Sequence, residues 1–424
     1  MFKRIFFTLH FFFFTTELVA VEIEKEFKLK VVTQEELKSI NVEELNEPTT
    51  YTFLTSYKHH QDAYEMVSRI GIRLQSDSTE IYTRLLYRKD WGIKEWRNDL
   101  QIENLYLKFN PLKNLFFTFG RQELNFADGF VVGNSRNDLA KTMYTKTEMK
   151  SFDAIKISFE RNKLLLDIVA LAKRRETYTH INANEDNLLG INLQSKQEKG
   201  KLEFGLFLQD THVQWVDFTT GSTSGDLYPY VLALVFHREK EFKKDVKFKT
   251  TLVREWGHHF PDSTVRDDIL LDAWAGEIDF SFSLHPHLEM NIGYQYYSGD
   301  DSGSTNFEEF NPLYEDKVYA EIVDLINGSD GSDGVKVKTN TDFRAYFLGI
   351  ILKPLPNIRG AIKFCDFTRN SDNKKLGWEI DCHFFWLILP EVNFEIIWSY
   401  FSPGEIFLSS RKAQQTKFVL TSKF

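Results

Sequence analysis

Apolar and polar residues alternate along most of the chain beyond about residue 50. Ile70 and Ile72 alternate with Arg69, Gly71 and Arg73, and the same split recurs near residues 277–282 and 289–296. A repeat of two is the period of β-strands whose two faces meet different environments. Residues such as Asn, Asp, Gly and Pro end these segments. The pattern therefore predicts an all-β chain of antiparallel strands.

The lengths of the connections narrow this fold class. We place about eighteen strands, the first at 50–58 and the last at 415–424. Nearly every second connection is short, including 75–77, 110–113, 161–162, 285–286 and 354–356, whereas 123–151, 211–227, 257–267 and 298–341 are long. A soluble sandwich shows the same alternation, but it has no reason to separate its loops by length. The sequence predicts a transmembrane antiparallel β-barrel whose long loops lie outside the cell.

The first residues differ from the rest. Lys3 and Arg4 precede an apolar run that ends at Phe14, and Leu18-Val19-Ala20 follows as a small-residue cleavage site. We interpret 1–20 as a signal peptide, with a short membrane anchor as the alternative. Residues 21–48 are charged and lack the two-residue period, so we predict a periplasmic N-terminal segment there and the barrel over 49–424. Beyond residue 20, no stretch is apolar for long enough to form a transmembrane helix.

Composition agrees with this prediction. Aromatic residues make up 15% of the chain, including 39 Phe and 17 Tyr, as the aromatic girdles of a membrane barrel require. The formal net charge of -9 argues against a nucleic-acid partner. The final residue, Phe424, shares a strand face with Leu420 and Phe418 and resembles the signal that the barrel-assembly machinery reads. We expect the outer membrane of a Gram-negative bacterium, with its lipid and this machinery as partners.

Charged residues on the strands suggest what the barrel does. A barrel of this size encloses water, so its function lies in the side chains that line it. We assign to the lining, as the residues that contact a solute, Arg69, Arg73, Arg84, Arg88, Arg121, Arg344 and Arg359. Guanidinium groups bind carboxylates in a bidentate way, so they favour an anionic solute. The alternative is that these arginines only pair with acidic residues of the lining.

One stretch resembles a known family. Gly120-Arg121-Gln122-Glu123-Leu124 precedes Asp128-Gly129 and Gly133, and Phe152-Asp153-Ala154 opens the next strand. This arrangement resembles the alginate export family of outer-membrane porins. The resemblance implies an eighteen-stranded barrel that conducts an anionic polysaccharide through an arginine-rich lumen, with Arg121 in the lining. Ala127 stands where the family has glycine. The loop 123–151 either folds inward as a constriction or stays exposed.

The predicted function is an outer-membrane, porin-like channel for a polar, anionic solute, with export of an alginate-type exopolysaccharide as its most specific form. The alternatives are a general or sugar-acid porin and an adhesin-like barrel that acts through its outer loops. We predict no enzyme, because the Gly-x-Ser-x-Gly motif is absent and because chance often brings Ser and His near each other, as around His383. No cofactor or metal is expected, although Asp324, Asn327, Asp330 and Asp333 are candidates for calcium binding through oxygen ligands.

Overall fold

The computed structural model describes residues 21–24, 27–44, 60–91, 98–133, 151–173, 182–217, 222–227, 230–243, 245–259, 269–301, 303–310, 320, 322, 342–405 and 412–423. The strands in this part of the chain are β1 (Val21–Glu24), β2 (Phe27–Glu44), β3 (His60–Gln75), β4 (Thr79–Trp91), β5 (Asn98–Leu112), β6 (Leu115–Gln122), β7 (Phe152–Arg161), β8 (Leu164–Lys173), β9 (Asn182–Gln197) and β10 (Gly200–Asp217). They continue with β11 (Ser222–Leu227), β12 (Tyr230–Lys243), β13 (Val246–His259), β14 (Ile269–His285), β15 (Leu288–Tyr297), β16 (Phe343–Leu355), β17 (Ile358–Arg369), β18 (Lys375–Leu389), β19 (Val392–Pro403) and β20 (Ala413–Lys423).

The strands form one closed antiparallel barrel. Among the described residues, β2 to β10 and β12 to β20 each pair with the next strand of this series, and β2 pairs with β20 to close the ring. The short strands β1 and β11 extend β2 and β10 as hairpins. The predicted fold class, a transmembrane antiparallel β-barrel of about eighteen strands, is confirmed.

The predicted start of the barrel was wrong. Residues 27–44, which we expected in a periplasmic segment, form β2, and Gln34 pairs with Arg69 on one side and Lys423 on the other. The apolar residues of β2 change parity, from Phe27 and Leu29 to Ile40 and Val42, and this hides the strand period in the sequence. The strand predicted at 50–58, the signal peptide at 1–20 and the terminal Phe424 lie outside the described residues.

The two ends of the barrel differ, as the sequence predicted. At one end, called here the short-turn end, connections such as 76–78, 113–114 and 286–287 join consecutive strands. The connections 123–151 and 298–342 belong to the opposite end, called the loop end. Residues 211–217, which we expected in a loop, instead lengthen β10. Tight turns at one end keep neighbouring strands in a fixed register.

The two faces of each strand have different neighbours. Ile70, Leu105 and Leu206 lie on the outer face and are 48%, 48% and 44% exposed, whereas Arg69 and Phe207 face inward and are buried. An apolar exterior with a polar interior is the arrangement of a barrel that spans a membrane with its strands. Among the described residues, no helix is long and apolar enough to cross a membrane.

Candidate functional site

A segment after β6, residues 123–133, folds into the barrel. Leu124, Phe126, Phe130 and Val132 are at most 3% exposed, so this part of the long loop is not on the surface. We call it the inner segment. Of the two alternatives that the sequence left for this loop, the inward one holds for its described part. Residues 134–150 lie outside the described residues.

The inner segment turns sharply through three residues with positive φ. Ala127, Asp128 and Gly129 have φ of 52°, 54° and 77° and form a short 3-10 turn. Left-handed backbone is accessible to glycine and costs other residues free energy. Ala127 adopts this conformation although it is not a glycine.

Aromatic rings bind the inner segment to the wall. Phe126 packs on Phe207 of β10, with ring centroids 5.2 Å apart, and Phe130 stacks on Tyr297 of β15 at 5.4 Å. Phe310, from a second infolded stretch at 303–310, lies 6.4 Å from Phe130 and 5.6 Å from Tyr297. These rings bury large apolar surfaces where the sequence predicted open water. The lumen is therefore narrowed by the two infolded stretches.

Two buried carboxylates of the wall hold the infolded backbone. Glu203, 1% exposed, accepts a hydrogen bond from the Ala127 N–H at 2.8 Å, and Glu379, 0% exposed, accepts one from the Ile322 N–H at 2.6 Å. Lys201 Nζ lies 2.5 Å from Glu203. Hydrogen bonds to ionised acceptors are stronger than neutral ones. The acidic residues of the lining thus fix the constriction in place.

A buried polar row runs across five strands beneath the inner segment. Glu203, His237, Thr251, Glu277 and Gln295 are successive register partners on β10 and β12 to β15. The His237 Nδ1 lies 2.8 Å from the Thr251 hydroxyl, which donates to Glu277 at 2.9 Å. His237 and Thr251 are fully buried, so the row packs as part of the wall.

Lys249 links this row to the inner segment. Its ammonium group contacts Asp128 of the inner segment, and its Nζ lies 3.4 Å from Glu277 of the row. The lysine side chain is 24% exposed, so the bridge borders the remaining lumen. Lys249 therefore joins the inner segment to the wall by ion pairs with both.

The predicted arginines on β3 and β4 come together with acidic partners. Arg69 Nε lies 3.1 Å from Glu103, and both side chains are nearly buried. Arg84 contacts Glu103 and also Glu123, the first residue of the inner segment. Arg69 and Arg84 are thus occupied by ion pairs, which is the alternative that the sequence left open. They position the constriction, and their charge is neutralised locally.

Other predicted arginines reach the open lumen. The Arg73 side chain is 41% exposed, stands over the Tyr82 ring at 5.1 Å and lies 3.4 Å from Glu80. Arg359 shares the inward face of β17 with Lys363 and is exposed near the short-turn end. Arg88 lies in β4, but its side chain is outside the described part of the structure.

Arg121 and Arg344 do not line the lumen, contrary to our expectation. Arg121 shares a face with the exposed Phe119 and pairs in register with the outward Leu105. Arg344 shares a face with the exposed Tyr346. The inner face of β16 is apolar because it packs against Tyr297 and its neighbours, so the rule that charge points inward fails there.

Sequence reasoning did not find the residues that hold the constriction. Strand parity places Glu203 and Glu379 on lining faces, but only their contacts with distant backbone show their role. Among the described residues, no group of three His, Cys, Asp or Glu side chains could hold a metal ion. The calcium candidates Asp324, Asn327, Asp330 and Asp333 lie outside the described part.

Comparisons with known proteins give structural matches only. No family model matches the chain, and no curated protein sequence matches it. Three Pseudomonas aeruginosa crystal structures are similar. For OccK9 (OpdG) the TM-score is 0.59 at 9% identity, over 93% of this chain and 98% of that chain. For OccK11 (OpdR) the TM-score is 0.57 at 10% identity, over 93% of this chain and 96% of that chain. For OpdK with vanillate the TM-score is 0.56 at 12% identity, over 93% of this chain and 98% of that chain.

These neighbours are outer-membrane porins. Identities of 9–12% show a shared fold and nothing finer. None of the three is an alginate export protein, so the resemblance of Gly120 to Gly133 to that family stays a prediction.

Proposed function

We propose that the chain is an outer-membrane channel that passes a small, polar, anionic solute. The observation that carries this proposal is the inner segment, which enters the lumen and is held there by Glu203, Lys249 and the Phe130–Tyr297 stack. A barrel built only as a wall or an adhesin needs no such constriction. A narrowed lumen with polar groups at its border is the usual way in which a channel selects among solutes.

Exposed cations give the proposed preference for anions. Arg73, Arg359 and Lys247 face the lumen toward the short-turn end and are exposed. Arginine binds carboxylates through a planar fork, and lysine provides a point charge. Fewer arginines contact the solute than the sequence predicted. Arg69 and Arg84 pair with Glu103, and Arg121 and Arg344 face outward.

The location follows from the same features. The apolar exterior, the closed ring and the aromatic outer residues fit a bacterial outer membrane, and the similar solved structures are porins of that membrane. The short-turn end would then face the periplasm.

Export of an alginate-type polysaccharide is the second candidate. The motif from Gly120 to Gly133 favours it, whereas the aromatic packing around Phe130 and Phe310 disfavours it, because a polymer chain needs a wide and continuous opening. A short uronate needs a narrower opening than the polymer, so this packing is compatible with its passage.

Recordings from the purified protein in a planar bilayer test the proposal. We expect an anion-selective current that is reduced by a monomeric sugar acid and left unchanged by an equal concentration of the neutral sugar. Block by alginate polymer at much lower concentration than by the monomer would favour the second candidate. Cation selectivity, or the absence of current from correctly folded protein, would contradict the proposal.

A further inference from the structure

The outer face of the barrel carries cations near the loop end. Arg121, Arg254 and Arg344 lie on outward strand faces, among exposed neighbours such as Phe119 and Trp274. A charge on the face that meets lipid is costly at the membrane centre and tolerated near the interface. Each of these arginines is therefore expected either to pair with an acidic side chain or to lie at the level of the lipid head groups.

Two of the three arginines have a partner within the chain. Arg121 makes a bidentate pair with Asp153, with nitrogen–oxygen distances of 2.9 and 2.8 Å. Arg254 contacts the Asp272 carboxylate and lies 4.1 Å from the Trp274 ring centroid. Both cations are thus neutralised by neighbouring strands.

Arg344 is different. It stands opposite Tyr296 of β15 and next to Tyr346 on its own face, and these tyrosines are 36% and 54% exposed. Within the described side chains, no carboxylate forms an ion pair with Arg344. On its other side Arg344 is opposite Thr368 of β17, and the next outward residue of that strand, Asp366, pairs with Lys375 at 2.5 Å. The charged side chains that the structure describes in this patch therefore carry one positive charge in excess.

The surroundings of Arg344 place it at the level of lipid head groups. Outward Trp and Tyr side chains mark the interface of membrane barrels. Toward the middle of the barrel, the next outward pair below Tyr346 and Tyr294 is Leu348 and Ile292, which are register partners and are 42% and 47% exposed. A lipid bound here can place its phosphate at Arg344 and its acyl chain on this apolar pair. A free anion would leave the apolar part of the patch unused.

We propose that Arg344, framed by Tyr296 and Tyr346, binds the phosphate group of a membrane lipid in the leaflet around the loop end. The guanidinium fork donates two parallel hydrogen bonds to phosphate oxygens, and the tyrosine hydroxyls supply further donors. This site depends on the barrel spanning a membrane and does not depend on which solute the lumen passes. Channel recordings and lipid binding can therefore fail independently.

Native mass spectrometry of the folded barrel in detergent tests the site. The probe is bisphosphorylated lipid A, compared with the same lipid after enzymatic removal of its phosphates. We expect the phosphorylated form to be retained preferentially, and Arg344→Gln to lower its affinity about fivefold. Arg344→Lys keeps the charge and loses the planar guanidinium fork. Its affinity for the phosphorylated lipid should therefore lie between those of the unaltered protein and of Arg344→Gln. Excess inorganic phosphate should not displace the lipid.

A matched variant is available on the same outer surface. Lys240 also faces outward, lies toward the short-turn end and stands over the Phe242 ring at 4.9 Å. Lys240→Gln should leave lipid A retention unchanged. Equal retention of both lipid forms by the unaltered protein, retention that survives Arg344→Gln, or displacement by inorganic phosphate alone would overturn the proposal. The comparison of the two lipids needs no variant, so it decides even if Arg344→Gln does not fold.

Discussion

Phe130 and Tyr297 stack inside the barrel with ring centroids 5.4 Å apart and planes 8° from parallel. Phe130 belongs to the inner segment and Tyr297 ends β15, so the contact joins a loop from one side of the barrel to a strand on the other. Both side chains are fully buried. The constriction is therefore packed as a protein core is packed, and its width depends on these rings.

Phe130→Ala should widen the channel. Removal of the ring deletes the stack on Tyr297 and the contact with Phe310, and a buried Phe→Ala change costs about 3–5 kcal/mol of local packing. Single-channel conductance should rise, and anion preference should weaken. Phe204→Ala is the control, because Phe204 packs on Phe236 on the outer surface. Equal conductance of the two folded variants would show that the stack does not set the width.

Glu203→Ala should make the open channel noisy. The change leaves the buried N–H of Ala127 without its acceptor, at a cost of about 1–3 kcal/mol. The inner segment should then fluctuate, and current noise at fixed voltage should increase. Glu203→Gln keeps an acceptor oxygen and removes the charge, so its current noise should be lower than that of the alanine variant. If both variants are as quiet as the unaltered protein, this hydrogen bond does not hold the segment.

Arg73→Gln combined with Arg359→Gln should reduce anion selectivity, because both arginines are exposed to the lumen. The reversal potential in a salt gradient measures the effect. Arg121→Gln is the matched control, since its side chain faces outward and pairs with Asp153. A shift as large in the control as in the double variant would argue against selection by lumenal charge.

Arg69→Gln should act on stability instead of selectivity. Arg69 is 2% exposed and pairs with the buried Glu103, which would still contact Arg84. We expect the free energy of unfolding to fall by roughly 1–3 kcal/mol, measured by urea titration in lipid vesicles. Anion selectivity should stay unchanged. A changed selectivity with unchanged stability would place Arg69 in contact with the solute.

Asp342, just outside β16, gives a pH-dependent prediction. Burial raises its pKa and outweighs the hydrogen bonds that Ser371 donates to the carboxylate. The folded state therefore holds the proton more tightly than the unfolded state, whose pKa is about 3.9. The contribution of this group to stability is present at low pH and is lost as pH rises through the folded pKa.

Asp342→Asn removes that titration. As pH rises from about 4 to about 7, the unfolding midpoint of the unaltered protein should fall relative to that of the variant. Urea titrations at several pH values provide the comparison. Curves that stay parallel over this range would show that the carboxyl does not contribute.

The sequence predicted the fold well where one strand face meets lipid and the other meets charge. Arg69 and Ile70 on β3 show this contrast, and the short turns, such as 162–163, set the two ends apart. The prediction failed in β2, whose apolar residues change parity between Leu29 and Ile40. The two-residue period of apolar positions does not identify such a strand. In the structure β2 is recognised by its pairing with β3 on one side and β20 on the other.

The candidate site was predicted less well, for a physical reason. Inward position follows from local alternation, but pairing depends on residues far away, as in Arg84 with Glu123 or Glu203 with Ala127. The infolded rings also make parts of the inner wall apolar. Arg344 was misplaced because both faces of β16 look alike in the sequence, with Phe343 inside and Tyr346 outside.

The closure of the ring through β2 and β20 has a consequence for biogenesis. Gln34 pairs with Lys423, so the final seam joins residues almost a whole chain apart. Contacts of such long range form slowly, because the entropy of closing the loop must be lost before the pairing stabilises the chain. Until then, the curved sheet presents two unpaired edges that invite pairing with other chains. Escort of the unfinished sheet, from its synthesis to its insertion, is therefore a requirement of this topology.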